Sequence, residues 1–109
     1  MEVVLFRIRT RPDIDAGAYE AAFVRMCELV QDVEGFVSIE AFAGADGSEL
    51  ALATFESEAA ILAWRDQPEH VATRQRGREE FFASYDITIA TVSRHYDWAA
   101  DRAPTPVLA

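Results

Sequence analysis

Apolar residues recur along this 109-residue chain with two different periods, and the changes of period mark out its elements. Residues 3–9 form a short β-branched and aromatic run closed by Thr10, Arg11 and Pro12; Pro12 has no N–H to give to a ladder, so the run ends there as a first strand. Asp13 or Asp15 can then cap a helix in which Tyr19, Ala22, Phe23, Met26, Leu29, Val30 and Val33 fall three and four apart on one stripe, with Gly35 at the C′ position. Residues 36–42 and 50–55 read as strands on either side of Gly44-Ala45-Asp46-Gly47-Ser48, a turn rich in residues that tolerate positive φ, and together they predict a β-hairpin. Ser57 suits the N-cap of a short helix through Ile61, Leu62 and Trp64. Pro68 interrupts that helix and serves as N1 of a second piece running to about Ala83. Residues 86–96 carry Ile87, Ile89, Val92 and Tyr96 among Thr88, Thr91 and Ser93, the longest strand signal, expected to lie inside the sheet.

The order β-α-β-β-α-β predicts an α+β, ferredoxin-like arrangement: a four-stranded antiparallel sheet with its helices on one face. The first strand is apolar at Val3 and Leu5 on one side and at Val4, Phe6 and Ile8 on the other, and the second shows Phe36 and Phe42 opposite Val37 and Ile39. Such two-sided patterning calls for burial on both faces, and one chain supplies a single layer of helices. A second copy's sheet is the simplest cover, so a homodimer is expected. Beyond Trp98 the chain carries Pro104 and Pro106 and no periodicity, which divides it into a domain at 1–98 and a tail at 99–109.

Half of the residues are apolar and 27% are charged, the composition of a globular chain with room for one domain. No apolar run nears the roughly 18 residues of a membrane span, and the N-terminus has no basic n-region, so a cytoplasmic protein is expected. A net charge of −9 argues against nucleic acid and anionic membranes as partners. The basic cluster Arg74, Arg76 and Arg78 is followed at once by Glu79 and Glu80 and reads as mostly a solvated helix face, with Arg76 pointing away from the other two. Every basic residue is Arg: with no Lys, Schiff-base chemistry is excluded. Cys27 is the only cysteine and falls in an apolar helical stretch, which rules out an internal disulfide and predicts an inert, buried thiol. His70 and His95, the only histidines, sit in no metal-ligand spacing, so no metal is expected.

Around the helix break the chain reads Phe55-Glu56-Ser57-Glu58, then Ala63-Trp64-Arg65-Asp66-Gln67-Pro68-Glu69-His70, followed by Arg74, Gly77-Arg78, Phe82, Tyr85 and Arg94-His95-Tyr96. This resembles the antibiotic biosynthesis monooxygenase family, in which a Ser/Glu-rich cap, an Ala-Trp before a Pro, a His two residues later and a last strand with Arg and Tyr are common. The resemblance covers residues 1 to about 98 and implies a dimeric α/β barrel of two ferredoxin-like units. One enzymatic branch degrades heme with an Asn on the first strand, a Trp, and an iron-ligating His ten positions after it; here only Trp64 matches, since the tenth position is Arg74 and the chain has no Asn. The other branch oxidises polycyclic phenols to quinones with O₂ and no cofactor. For it the resemblance implies Trp64 and His70 in the roles of the family's Trp and of the polar residue near the start of the following helix, while the family's Asn has no counterpart here and its Arg is not assigned by the resemblance. His70 is the side chain whose ordinary pKa suits a base at neutral pH, and Arg74, one turn after it on the same helix face, can hold an anionic group, so Trp64, His70 and Arg74 are the catalytic candidates and Tyr85, Arg94 and Tyr96 the candidate substrate-binding residues. Of these, Arg94 is also a candidate for a structural ion pair with Glu40. The implied function is a cofactor-independent monooxygenase of an aromatic or polyketide-like molecule. The alternatives are a heme-degrading relative or a non-enzymatic ligand-binding or stress-response barrel.

Overall fold

A computed structural model describes residues 1–101. The order is β1 (Glu2–Thr10), α1 (Ala16–Val30), β2 (Phe36–Ala43), β3 (Glu49–Phe55), α2 (Glu58–Arg65), α3 (Pro68–Arg76), a π-helical turn (Gly77–Phe81) and β4 (Phe82–Thr91). The four strands form one antiparallel sheet in the order β2-β3-β1-β4. This is the expected ferredoxin-like α+β fold, and among the described residues no helix is long and apolar enough to cross a membrane.

Capping chemistry sets the helix starts. Of the two candidate acids, Asp15 takes the α1 N-cap and accepts from the Ala18 N–H at 3.0 Å; Ser57 caps α2 through the Ala60 N–H at 3.2 Å. The predicted α1 stripe is the more buried side of the helix and ends at fully buried Val30. Cys27 is half-buried on that helix, and partial burial pushes its thiol pKa up. Pairing places Val4, Phe6 and Ile8 of β1 on the side of the sheet that carries Ala51, Ala53 and Phe55 of β3. On that side Val30, Ala53, Phe55, Ala60 and Ile61 form the core, with Val4, Val33, Phe36, Ile39 and Trp64 packed around it. Val3 and Leu5 with Leu50 and Leu52 lie on the opposite, helix-free face, where they are only half-buried.

Several expectations are corrected. Helix α1 stops at Val30, so Gly35 is not its C′ residue; it sits four residues past the Gln31 cap, at φ +91°, and its carbonyl accepts from the Glu56 N–H at 2.7 Å. A shift of register between Phe36 and Ser38 puts Phe36 and Ile39 together against the core and leaves Phe42 on the open face, so Phe36 and Phe42 do not share a side. The helix after Pro68 does not reach Ala83: it widens into the π turn at Gly77, over which the Phe82 ring lies so closely that a Cβ there would collide with it. β4 therefore begins at Phe82 and ends at Thr91, earlier than the predicted 86–96 at both ends, and it is an edge strand, not an inner one. The predicted tail at 99–109 lies outside the described residues from 102 onward.

Candidate active site

The break between α2 and α3 follows from Gln67-Pro68. Proline disfavours helical backbone in the residue before it, and Gln67 is extended (φ −62°, ψ 125°), so α3 starts anew with Pro68 at N1. Gln67 caps this second helix itself, its Oε1 accepting from the His70 N–H at 2.7 Å. His70 thus sits in the first turn of α3, and its ring folds back to stack on the last turn of α2. Its imidazole and the Trp64 indole lie 3.8 Å apart and 11° from parallel.

One hydrogen bond decides the chemistry of this ring. His70 Nδ1 lies 2.8 Å from the Trp64 carbonyl oxygen. A carbonyl can only accept, so Nδ1 carries the proton, and the lone pair of the neutral ring is left on Nε2. Partial burial pulls the His70 pKa below its usual value of 6.5; the bond to the Trp64 carbonyl opposes this shift, and the positive charge of Arg74 adds to it. The side chain at neutral pH is a base of fixed tautomer.

Arg74 follows one turn after His70 on α3 and donates from Nη1 to the Arg65 carbonyl at 3.2 Å, closing the C-terminal end of α2. Trp64, His70 and Arg74 are therefore brought together at a single helix junction, each half-buried. Tyr85 lies elsewhere, on the helix-facing side of β4 opposite Ile8, with its ring edge-on to Phe6 at 5.3 Å and to Phe82 at 5.5 Å. The last two candidates do not join either group. Arg94 and Tyr96 are exposed in the segment beyond the end of β4, and β2, which holds Glu40, is at the opposite edge of the sheet, so no Arg94–Glu40 pair forms.

Sequence reasoning undervalued Arg78. Its Nε donates to the Tyr85 hydroxyl at 2.9 Å, which ties the π turn to β4 although the residue itself is exposed, as the reading of a mostly solvated face expects. The spacing of four from Arg74 was the available signal. Ile87 and Ile89 were read as ordinary strand residues, yet they are 49% and 52% exposed on the side of the sheet that the helices cover elsewhere. A groove of about 440 Å³ between α1 and α3, lined by residues such as Ala18, Arg25, Met26 and Thr73, contains neither Trp64 nor His70.

A heme does not fit this arrangement. The residue ten positions after Trp64 is Arg74, a cation occupied by a backbone carbonyl, and His70 lies flat against the indole instead of projecting from the helix. No group of three His, Cys, Asp or Glu side chains that could hold a metal occurs among the described residues.

The profile of the antibiotic biosynthesis monooxygenase family matches residues 1–76. The chain belongs to that family. YqjZ of Bacillus subtilis (strain 168), an uncharacterized protein, is 36% identical over 80 residues, which are 73% of this chain and 69% of that one. Among solved structures, Rv0793 from Mycobacterium tuberculosis superimposes with a TM-score of 0.77 at 21% identity, covering 88% of this chain and 98% of that one. SnoaB, a cofactor-independent oxygenase from Streptomyces nogalater, gives a TM-score of 0.73 at 16% identity over 86% of this chain and 94% of its own. At such identities the superpositions establish the shared fold of these family members, not a shared substrate.

Proposed function

We propose that this family member is a cofactor-independent monooxygenase that oxidises a phenolic aromatic or polyketide-like molecule with O₂, acting as a cytoplasmic homodimer. The observation that carries the reading is His70, whose Nδ1 is fixed on the Trp64 carbonyl so that Nε2 is the basic atom. The cofactor-independent oxygenase among its structural neighbours supports the same reading. The half-buried Val3, Leu5, Leu50 and Leu52 on the helix-free face support the dimer.

In this mechanism Nε2 removes the phenolic proton, and the electron-rich phenolate passes one electron to O₂. The radical pair combines at the ring carbon para to the oxygen to give a peroxide. Loss of the hydrogen on that carbon and cleavage of the O–O bond release water and leave a quinone: one phenol and one O₂ become one quinone and one H₂O. The Arg74 charge favours the phenolate, the Trp64 indole walls the site, and exclusion of water keeps the anion reactive.

The test is oxygen consumption by the purified protein with an anthrone-type phenol, with stoichiometric quinone formation and no added metal or flavin. Binding of such phenols with no oxygen uptake would reject the monooxygenase and return the chain to a ligand-binding barrel. The reaction should fail only below pH 6.5. Because the folded His70 resists protonation, the base stays in its working form at lower pH than a free imidazole would.

A further inference from the structure

Seven of the ten arginines of this acidic chain fall into two kinds by the partners they hold. Arg9, Arg25, Arg65 and Arg76 each pair with a carboxylate, on Asp46, Glu69, Asp66 and Glu80 respectively. Arg74 and Arg78 do not: Arg74 is bonded to the Arg65 carbonyl and Arg78 to the Tyr85 hydroxyl, both neutral acceptors. Arg11 adds a third cation of this kind, donating from Nη2 to the Arg78 carbonyl at 2.6 Å and from Nε to the Phe82 carbonyl at 3.1 Å. Of the nearby acids, Asp66 is paired with Arg65 and Glu80 with Arg76, while Glu79 accepts only from the neutral Gln75 amide. Asp66 also feels the Arg74 charge, whereas Arg78 and Arg11 donate to neutral acceptors, so in a chain with a net charge of −9 these two guanidiniums side by side at the π turn present positive charge.

The same place has a polar and an apolar part. Arg78 donates to a lone pair of the Tyr85 oxygen, so the phenolic proton of Tyr85 is free to donate, and it has no acceptor among the described residues. Alongside, on the same side of β4, Ile87 and Ile89 stand half exposed next to Phe6 and Val4 of β1. At 1.5 Å per residue, His70 and Arg78 lie roughly 12 Å apart along the helix, the length of a two- or three-ring aromatic skeleton.

We infer that the strip from His70 past Arg74 to Arg78 and Tyr85 takes an aromatic substrate that carries a carboxylate, its rings over Ile87 and Ile89, its phenol at His70 and its carboxylate on Arg78 and the Tyr85 hydroxyl. This deepens the proposed function and rests on it for the role of the phenol. A bidentate guanidinium with a hydroxyl donor fits a carboxylate's two oxygens. The net charge repels polyanions at longer range, which favours a small monoanion.

The experiment compares binding of 6-hydroxy-2-naphthoate, whose hydroxyl and carboxylate stand at opposite ends of the ring system, and its neutral methyl ester by calorimetry, with no turnover required. The acid should bind at least about tenfold tighter than the ester in the wild-type protein, and Arg78→Gln should remove that preference, as should the pair Arg74→Gln with Tyr85→Phe. Arg76→Gln, which removes a nearby cation that is paired with Glu80 and lies over the Phe81 ring, should leave it unchanged, and Arg78→Lys should keep part of it. An acid that binds no better than the ester, including no binding of either, overturns the inference, as does a preference that survives Arg78→Gln. Tight acid binding without oxygen uptake would sustain this site while rejecting the oxygenase.

Discussion

Two halves of a single sheet face meet different fates in this molecule. Under α1 and α2, β3 and β1 are sealed: Phe55 and Val30 are wholly inaccessible, and Ala53, Ala60 and Ile61 are close to it. One strand further along the same face, Ile87 and Ile89 of β4 remain about half exposed although they pair directly with Phe6 and Val4. The side chains are of the same kind; the covering layer differs. Small residues, Ala51 and Ala53 on β3 and Ala60 on α2, accompany the closed half, whereas the helical segment toward β4 carries the Pro68 break, His70, and Arg78, which reaches across to Tyr85. One half stabilises the fold; the other leaves apolar side chains exposed, and the proposed substrate strip makes use of them.

The comparison can be broken most forcefully at Phe55. Phe55→Ala should cost about 3–5 kcal/mol, because the ring is fully enclosed and its neighbours cannot collapse into the space. A loss in urea unfolding no larger than that of a surface substitution would mean that the closed half is not the core. Gly35→Ala should come next, at about 2 kcal/mol: φ is +91° and the new Cβ would lie 2.9 Å from that of Ala60, on the helix that seals this half. Ser57→Ala, which removes the α2 cap, should cost about 1 kcal/mol. On the open half, Ile89→Thr should shift stability by no more than roughly 0.5 kcal/mol. It should nevertheless raise KM for an aromatic substrate, and a large loss of stability there would show that the two halves are packed alike.

Acidification separates the halves in another way. The folded His70 has a lowered pKa, so the unfolded chain binds more protons once the pH falls below about 6.5. The contribution of His70 to stability is complete above that pH and is lost as the pH drops from there through the folded value. His70→Gln should flatten this part of the stability profile in denaturant titrations between pH 7 and pH 5.

Much of the closed half was legible in the sequence because its signals are local and redundant. The stripe from Tyr19 to Val33, the turn at Gly44–Ser48 and the caps at Asp15 and Ser57 each announce one element. The junction was legible too, since Gln67-Pro68 forces a helix to restart and a half-turn of geometry then brings His70 to Trp64. What escaped depends on register and on tertiary contact. The irregularity in β2 inserts no Gly or Pro that would betray it, so Ile39 was placed opposite Phe36. The run Glu79-Glu80-Phe81-Phe82 continues a helical pattern, and only the packing of the Phe82 ring on Gly77 and the Arg11 bonds to the Arg78 and Phe82 carbonyls end the helix there. Val92 and Tyr96 prolong the alternation of β4 past its last pairing partner, since β1 begins at Glu2, opposite Thr91. Arg94 and Tyr96 entered the candidate site through the resemblance to a family whose last strand carries Arg and Tyr, and here both lie beyond the end of that strand.

The pH dependence of kcat/KM for oxygen consumption, measured on the wild-type protein and on His70→Ala with a polycyclic phenol, tests the account at its centre. The wild type should hold its rate down to below pH 6.5 and then fall on a single acidic limb. His70→Ala should lose about a hundredfold or more in kcat, the range for removal of a general base, and should lose that limb as well. A variant with an unchanged rate and the same limb would contradict the assignment and leave His70 as a packing partner of Trp64.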